Sequence, residues 1–271
     1  MKKYALALFI HTGVGPVFSD ILLLLTALED AAIPSMEIHP VGYIRSPYKQ
    51  KFAIPRQPGL VKAATGEVVF LEAYADPNGL REIEQFSHLW LLFRFHETAD
   101  QGWTPTVQPP RLGGRERVGV FASRSTFRPN GIGMSVVENL GVEQRGAELI
   151  LKVGAIDLLD KTPVIDIKPY IPYADALPDA RAGYAAMAPV NTWAVDFSED
   201  AYQQLEALGD GYPDLKALIT GVLEQDPRPA WRQKQPDDKQ YGMTLYDLNI
   251  KWRIDGDWIR VIRIERVATT K

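Results

Sequence analysis

The feature that most constrains the fold of this chain is a succession of short β-forming runs with no helix between them. From Glu37 onward, stretches rich in Val, Ile, Phe and Tyr recur at roughly Ile38 to Arg45, Gly66 to Tyr74, Ser87 to Phe95, Val118 to Arg124, Met134 to Val142 and Glu148 to Ile156, punctuated by Gly, Pro and Asn turns. The stretch Val142 to Ala147 reads as a hairpin connection, because Gly146 can take a positive φ. The βαβ alternation of a doubly wound parallel sheet is absent, so a mainly β fold is expected over residues 36–180, an antiparallel β-barrel or a sandwich.

The texture changes near Asn191. Ser198 to Leu208 and Tyr212 to Gln225 show helical apolar spacing, with Ser198 and Glu199 as cap and first-turn signals. Two strands, Thr244 to Ile254 and Trp258 to Val267, follow a proline-rich segment and meet at Asp255-Gly256, a hairpin signal. Leu248, Ile250, Trp252 and Ile254 fall on one face of the first strand, while Asn249, Lys251 and Arg253 fall on the other. Residues 191–271 are therefore expected to form a small α+β domain with one core face and one cationic face.

Composition removes several function classes. The 271 residues include no cysteine, which excludes disulfides, thiolate metal sites and a cysteine nucleophile. The four histidines, His11, His39, His88 and His96, show no metal-ligand spacing, so no metal is expected. Net charge is -4, but its distribution is uneven: Arg111, Arg115, Arg117, Arg124 and Arg128 face the single acid Glu116 within 111–128. Such a segment is either an ordinary solvated face or an anion site. Residues 1–35 resemble an incomplete signal peptide: the apolar run before His11 is short and no cleavage site follows it. They are expected to be an extension to a cytoplasmic protein, with Met36 as the functional start.

No dinucleotide fingerprint, phosphate-binding P-loop or hydrolase nucleophile elbow occurs. Four rigid loops hold the remaining chemistry. In the first, Pro55 and Pro58 bracket Arg56 and Gln57, either as a carboxylate site or as a stiff turn. The second and third run from Pro109 to Gly114 and from Arg124 to Gly133, a set of arginines, hydroxyls and an amide suited to an anion or a purine edge. The fourth, Asp157 to Tyr170, places Asp157, Asp160 and Asp166 close together, as acid/base groups or as turn caps.

The runs VGYIRSPYKQKFAIPRQPGL, EQFSHLWLLFRFH, PPRLGG, VGVFASRSTFRPNGIGMS, DLLDKTPVIDIKPYIPYAD and QDPRPAW together resemble the TsaA/YaeB family, also called TrmO, from Glu37 to the C-terminus. The resemblance implies S-adenosylmethionine-dependent methylation of N6 of threonylcarbamoyladenosine at position 37 of threonine tRNA, by a dimer with a β-barrel catalytic domain and a C-terminal domain for tRNA recognition. It assigns the cofactor to Arg56, Gln57, Pro58, His96, Glu97, Arg124, Met134 and the stretch Gly154, Ile156, Asp157 and Leu158. Two positions depart from the family: Gly131 stands where proline is usual, and Lys161 where glycine is usual.

Methyl transfer to a urea-like nitrogen needs alignment and a base, so Asp157 or Asp160 is the expected base, with Asn130 orienting the adenine edge. Arg228, Arg232, Lys234, Lys251 and Arg253 are the expected phosphate contacts of the tail, with Trp231 or Tyr241 available for stacking. Two other readings stay open: a non-catalytic RNA-binding barrel, and a transferase or hydrolase acting on a small phosphorylated ligand.

Overall fold

The structure, a computed structural model, describes residues 35–113, 116–188, 193–228, 232 and 238–267. Of the positions singled out in the sequence, residues 1–34, Gly114, Arg115, Trp231 and Lys234 lie outside those residues. Over residues 39–267 the described chain is mainly β.

Eight strands precede residue 170: β1 (Gly42–Arg45), β2 (Thr65–Phe70), β3 (His88–Arg94), β4 (Thr106–Val107), β5 (Val118–Gly119), β6 (Ile132–Arg145), β7 (Glu148–Gly154) and β8 (Pro163–Pro169). Six of them form a closed barrel in the order β1-β2-β7-β6-β3-β8, every pairing antiparallel. Period-two patterning explains the interior: Ile44, Val68, Leu89, Leu91, Leu151, Val153 and Val164 are fully buried, at alternate positions of their strands. Each such side chain contributes roughly 1.5–3 kcal/mol by leaving water. Strands β6 and β7 run unbroken into a turn at Gly146, which takes φ 61°.

Two expectations need correction. The run Val118 to Arg124 is not one strand: only Val118–Gly119 is extended, pairing with β4 in a separate two-stranded flap, and Val120–Ala122 is a 3-10 turn. Side chains end the strand there, because Ser123 Oγ donates to Val120 O at 2.8 Å and Arg128 Nη1 to Ser123 O at 2.7 Å. Conversely, β8 lies inside the stretch read as the fourth loop, and it closes the barrel between β3 and β1.

After a single turn, α1 (Pro172–Asp175), the chain reaches β9 (Ala194–Phe197), α2 (Glu199–Leu208), α3 (Leu215–Glu224), β10 (Gln240–Leu245), β11 (Leu248–Asp255) and β12 (Trp258–Arg266). Ser198 caps α2 by accepting from Ala201 N at 3.2 Å. The run read as one strand from Thr244 is two, because Tyr246, at φ 54°, turns the chain between β10 and β11. The four-stranded sheet has the order β10-β11-β12-β9, with β9 parallel to β12. Leu248, Ile250 and Trp252 are fully buried, as their alternation requires.

The segment that leaves β1 is wedged between barrel and tail. Tyr48 is fully buried and bridges to Leu245, Tyr246 N donates to Pro47 O at 2.7 Å, and Val61 meets α3 at Gly221. A single apolar core runs through barrel, wedge and tail.

Lys161 sits at φ 64°, in the left-handed region that favours glycine, while its N–H donates to Ile44 O at 2.7 Å. Relief of roughly 1–2 kcal/mol of strain outweighs the roughly 0.4–1 kcal/mol of extra unfolded-state entropy that glycine carries. Lys161→Gly is therefore expected to raise the melting temperature, and a lowered one in calorimetric scans contradicts this account of the turn.

Candidate active site

One end of the barrel opens into a cavity of about 740 Å³, bounded by the Lys51 to Pro58 loop, the ends of β3 and β6, the Ser123 to Arg128 turn and the Asp157 to Thr162 segment. Its wall is largely aromatic and aliphatic. Phe93 and Phe95 pack edge to face with centroids 5.2 Å apart, and Gly133 makes that packing possible: a Cβ there would stand 2.4 Å from the Phe93 ring. Trp90, Leu92 and Met134 continue the apolar surface, and 55% of Met134 is exposed.

Polar groups enter from the loops. Arg124 Nη1 donates to Gln57 Oε1, joining the Ser123 to Arg128 turn to the loop that also presents Arg56. Desolvation holds the Arg56 guanidinium below its ordinary pKa, offset by the charge of Asp226. Gly59 N donates to Ala155 O at 2.9 Å, which ties the end of this loop to the chain leaving β7. His96 and Glu97 stand at the end of β3, His96 Nε2 lying 3.7 Å from Glu97 Oε1.

Asp157 is the buried acid of the cavity. Burial pushes its carboxyl up to about 6, against the opposing pull of the Ser135 hydrogen bond, its own backbone N–H and the charge of Arg124. Ser135 Oγ donates to Asp157 Oδ1 at 2.7 Å. Ser135 was not anticipated from sequence, although it is a polar residue on the inward face of β6, between Gly133 and Val137, where the pattern calls for an apolar one.

Of the residues assigned by the resemblance, Arg56, Gln57, Pro58, His96, Glu97, Arg124, Met134, Asp157 and Leu158 meet around this one cavity. Gly154 and Ile156 do not line it: both are buried, Gly154 against Glu138 and Ile156 against Gly66. Asn130 is exposed on the turn outside the cavity. Asp160 is also outside, with both oxygens engaged structurally: Ser46 N donates to Oδ1 at 2.9 Å, and Lys49 Nζ lies 2.7 Å from Oδ2. Of the two expected bases, only Asp157 faces the cavity. Gly131 takes φ 60° and donates its N–H to Arg128 O at 3.1 Å, two things a proline cannot do, so this turn has a glycine-specific geometry.

In the tail, Arg228 is not a phosphate contact. It is 1% exposed, pairs through Nε and Nη2 with both oxygens of Asp226 at 2.8 Å, and lies over the Trp193 ring. Tyr241 is half-buried and stacks on Trp252 at 4.7 Å, and Arg232 Nη1 donates to its hydroxyl at 3.5 Å. Lys251 and Arg253 are on the outer sheet face, ion-paired with Glu265 and Asp255. Among the described residues no cluster of His, Asp and Glu is arranged to hold a metal ion. No helix among them is long and apolar enough to cross a membrane.

Guanidinium groups at one side, an aromatic wall and a buried acid of raised pKa meet at the end of a closed β-sheet, an arrangement with the parts an enzyme site needs. The chain belongs to the tRNA-methyltransferase O family: the family's N-terminal domain matches residues 43–176 and its C-terminal domain residues 191–267. It is 52% identical over 231 residues to the tRNA (adenine(37)-N6)-methyltransferase of Escherichia coli, covering 85% of this chain and 98% of that one. An Eikenella corrodens protein of the same name is 43% identical over 63% of this chain and 92% of its own. A Pyrococcus abyssi protein named for S-adenosyl-L-methionine binding is 39% identical over 54% of this chain and 73% of its own. The crystal structure of TrmO from Pseudomonas aeruginosa superposes with a TM-score of 0.71 at 40% identity, covering 86% of this chain and 99% of that one.

Because Asp226 is buried with Arg228 as its partner, Arg228→Ala is expected to destabilise the fold by about 3–5 kcal/mol while leaving residual tRNA binding unaltered in the folded fraction. A wild-type melting temperature with weakened RNA binding contradicts the structural role.

Proposed function

We propose that the chain transfers a methyl group from S-adenosylmethionine to N6 of threonylcarbamoyladenosine at position 37 of threonine tRNA, in the cytoplasm and as a homodimer. Family membership makes it a tRNA methyltransferase that uses S-adenosylmethionine. The observation that carries the finer reading is Asp157, a carboxyl poised near 6 in a cavity with an aromatic and aliphatic wall and with Arg56 and Arg124 at its loops.

The cavity fits the cofactor in size and in chemistry. A volume of about 740 Å³ is within the range of small-molecule sites, and its lining separates charged from apolar groups as the ligand does. Arg56 and Arg124 would take the carboxylate of the methionine end, with Gln57 fixing the Arg124 guanidinium. Phe93, Phe95, Leu92 and Met134 offer the surface for the adenine ring. When bound, S-adenosylmethionine supplies an electrophilic methyl on a sulfonium sulfur and is left as a neutral thioether.

The protein's own part is alignment and proton removal. The N6 lone pair is delocalised into the neighbouring carbonyl, so the nitrogen attacks only as its proton is given up. Asp157 accepts that proton through the oxygen that Ser135 leaves free, while Ser135 fixes the carboxyl plane. A carboxylate with ordinary pKa would be a weaker base, and burial without Ser135 and Arg124 would keep it protonated.

Activity requires the ionised form, so kcat/KM is expected to rise with pH through about 6 and to level off above it. Asp157→Asn is expected to lower kcat by roughly 10²–10⁴ with S-adenosylhomocysteine affinity kept, and a variant with wild-type turnover removes Asp157 from the mechanism. Mass analysis of nucleosides from threonine tRNA incubated with protein and S-adenosylmethionine tests the reaction itself. One methyl on the base portion of threonylcarbamoyladenosine is expected, and a methyl on ribose or on another nucleoside overturns the assignment.

A further inference from the structure

We propose that the flap built by β4 and β5, with the turns on either side of it, is the surface on which the single-stranded anticodon loop docks, through stacking on Trp103 and Phe121 and a phosphate contact from Arg117. The inference rests on the reading of tRNA as substrate and moves the main RNA contact from the tail, where sequence placed it, to the rim of the cavity.

Charge is the first observation. Arg111, Arg117, Arg124 and Arg128 all bond to neutral oxygens: Arg111 to the carbonyls of Ala185 and Met187, Arg117 to Thr106, Arg124 to Gln57, and Arg128 to Val120 and Ser123. Among the described residues none of the four is within ion-pair distance of a carboxylate. The outer face of the tail sheet is different. Lys251, Arg253, Arg260 and Arg263 lie 3.1–3.8 Å from Glu265, Asp255 or Asp196. A polyanion gains most by counterion release where positive charge is uncompensated, which is the flap.

Exposed aromatic surface is the second. Phe121 is 74% exposed and Trp103 55% exposed, on the two connections that flank β4 and β5, and the Arg128 guanidinium lies 5.9 Å from the Phe121 ring centroid. Flat rings beside unpaired guanidinium groups are what unstacked bases bind, with little demand on sequence. Position is the third. The residues following Phe121, from Ser123 to Arg128, form one wall of the cavity, so an RNA loop stacked here has a flipped base within reach of Asp157.

Fluorescence anisotropy of labelled threonine tRNA over a range of salt concentrations tests the proposal. Trp103→Ala and Phe121→Leu are each expected to weaken binding about fivefold or more, Leu keeping apolar bulk at position 121. Arg117→Gln, which keeps a donor to Thr106, is expected to reduce the log-log salt slope by about one, while Arg263→Ala in the tail leaves affinity within about twofold. S-adenosylhomocysteine affinity and melting temperature are expected to be unchanged in all four. Flap variants that bind tRNA like the wild type overturn the proposal, as does a loss confined to Arg263→Ala. A change of oligomeric mass with RNA binding intact overturns it too, because the patch then belongs to a second copy. A wild-type protein that binds no tRNA removes the substrate reading itself.

Discussion

The site depends on how the segment after β1 is held. Tyr48 is fully buried at the junction of barrel and tail, and from it the chain continues through Ala53 and Pro55, also buried, to Arg56 and Gln57. Tail groups hold both ends of this stretch: Leu245 and Tyr246 at Pro47 and Tyr48, and α3 at Val61. A loop rich in proline has little entropy to lose on ordering, and here it is also clamped, so the guanidinium of Arg56 and the amide of Gln57 are preorganised at the cavity rim. The tail is part of the scaffold that holds this loop at the cavity.

The electrostatic plan follows from that scaffold. Among the described residues, acidic charge in the cavity lining is confined to Asp157 inside and Glu97 at the edge, and Arg124 and Arg128 make no ion pair with a carboxylate. In the proposed reaction a positive rim over a desolvated acid attracts an anionic substrate, and the acid stays near the pKa at which it can take a proton at neutral pH. On the outer face of the tail sheet Lys251, Arg253, Arg260 and Arg263 pair with neighbouring acids, and Arg228 pairs with Asp226 in the interior. The net charge of -4 conceals this, because it averages over the segment 111–128, in which five arginines stand against one acid.

Most of the architecture was legible because period-two alternation and turn residues speak for themselves, as at Gly146 and along Leu248, Ile250 and Trp252. What was missed carried no such local mark. Strand β8 has Pro163, Asp166, Lys168 and Pro169 among its seven residues, a composition that reads as loop until β1 and β3 pair with it from far away in sequence. The turn at Tyr246 lacks glycine, and the N–H of this positive-φ residue is held by Pro47 O, a partner distant in sequence. Arg228 looks like a surface cation because a buried arginine differs from an exposed one only in having an acid and an aromatic ring beside it, and of these Asp226 is two residues away while Trp193 is distant in sequence. In the site, chemical type identified Asp157 and Asp160 alike, and only tertiary position separated the acid in the cavity from the one that staples Ser46 and Lys49.

We propose that the clamped Arg56 loop, the Arg124 turn and Asp157 form one cofactor site at the barrel end. A crystal structure of the protein with S-adenosylhomocysteine tests it most directly. The account predicts the ligand in this cavity, its carboxylate against Arg56 or Arg124 and its sulfur on the side of Asp157; a ligand bound elsewhere, or turned so that its sulfur faces away from Asp157, contradicts it.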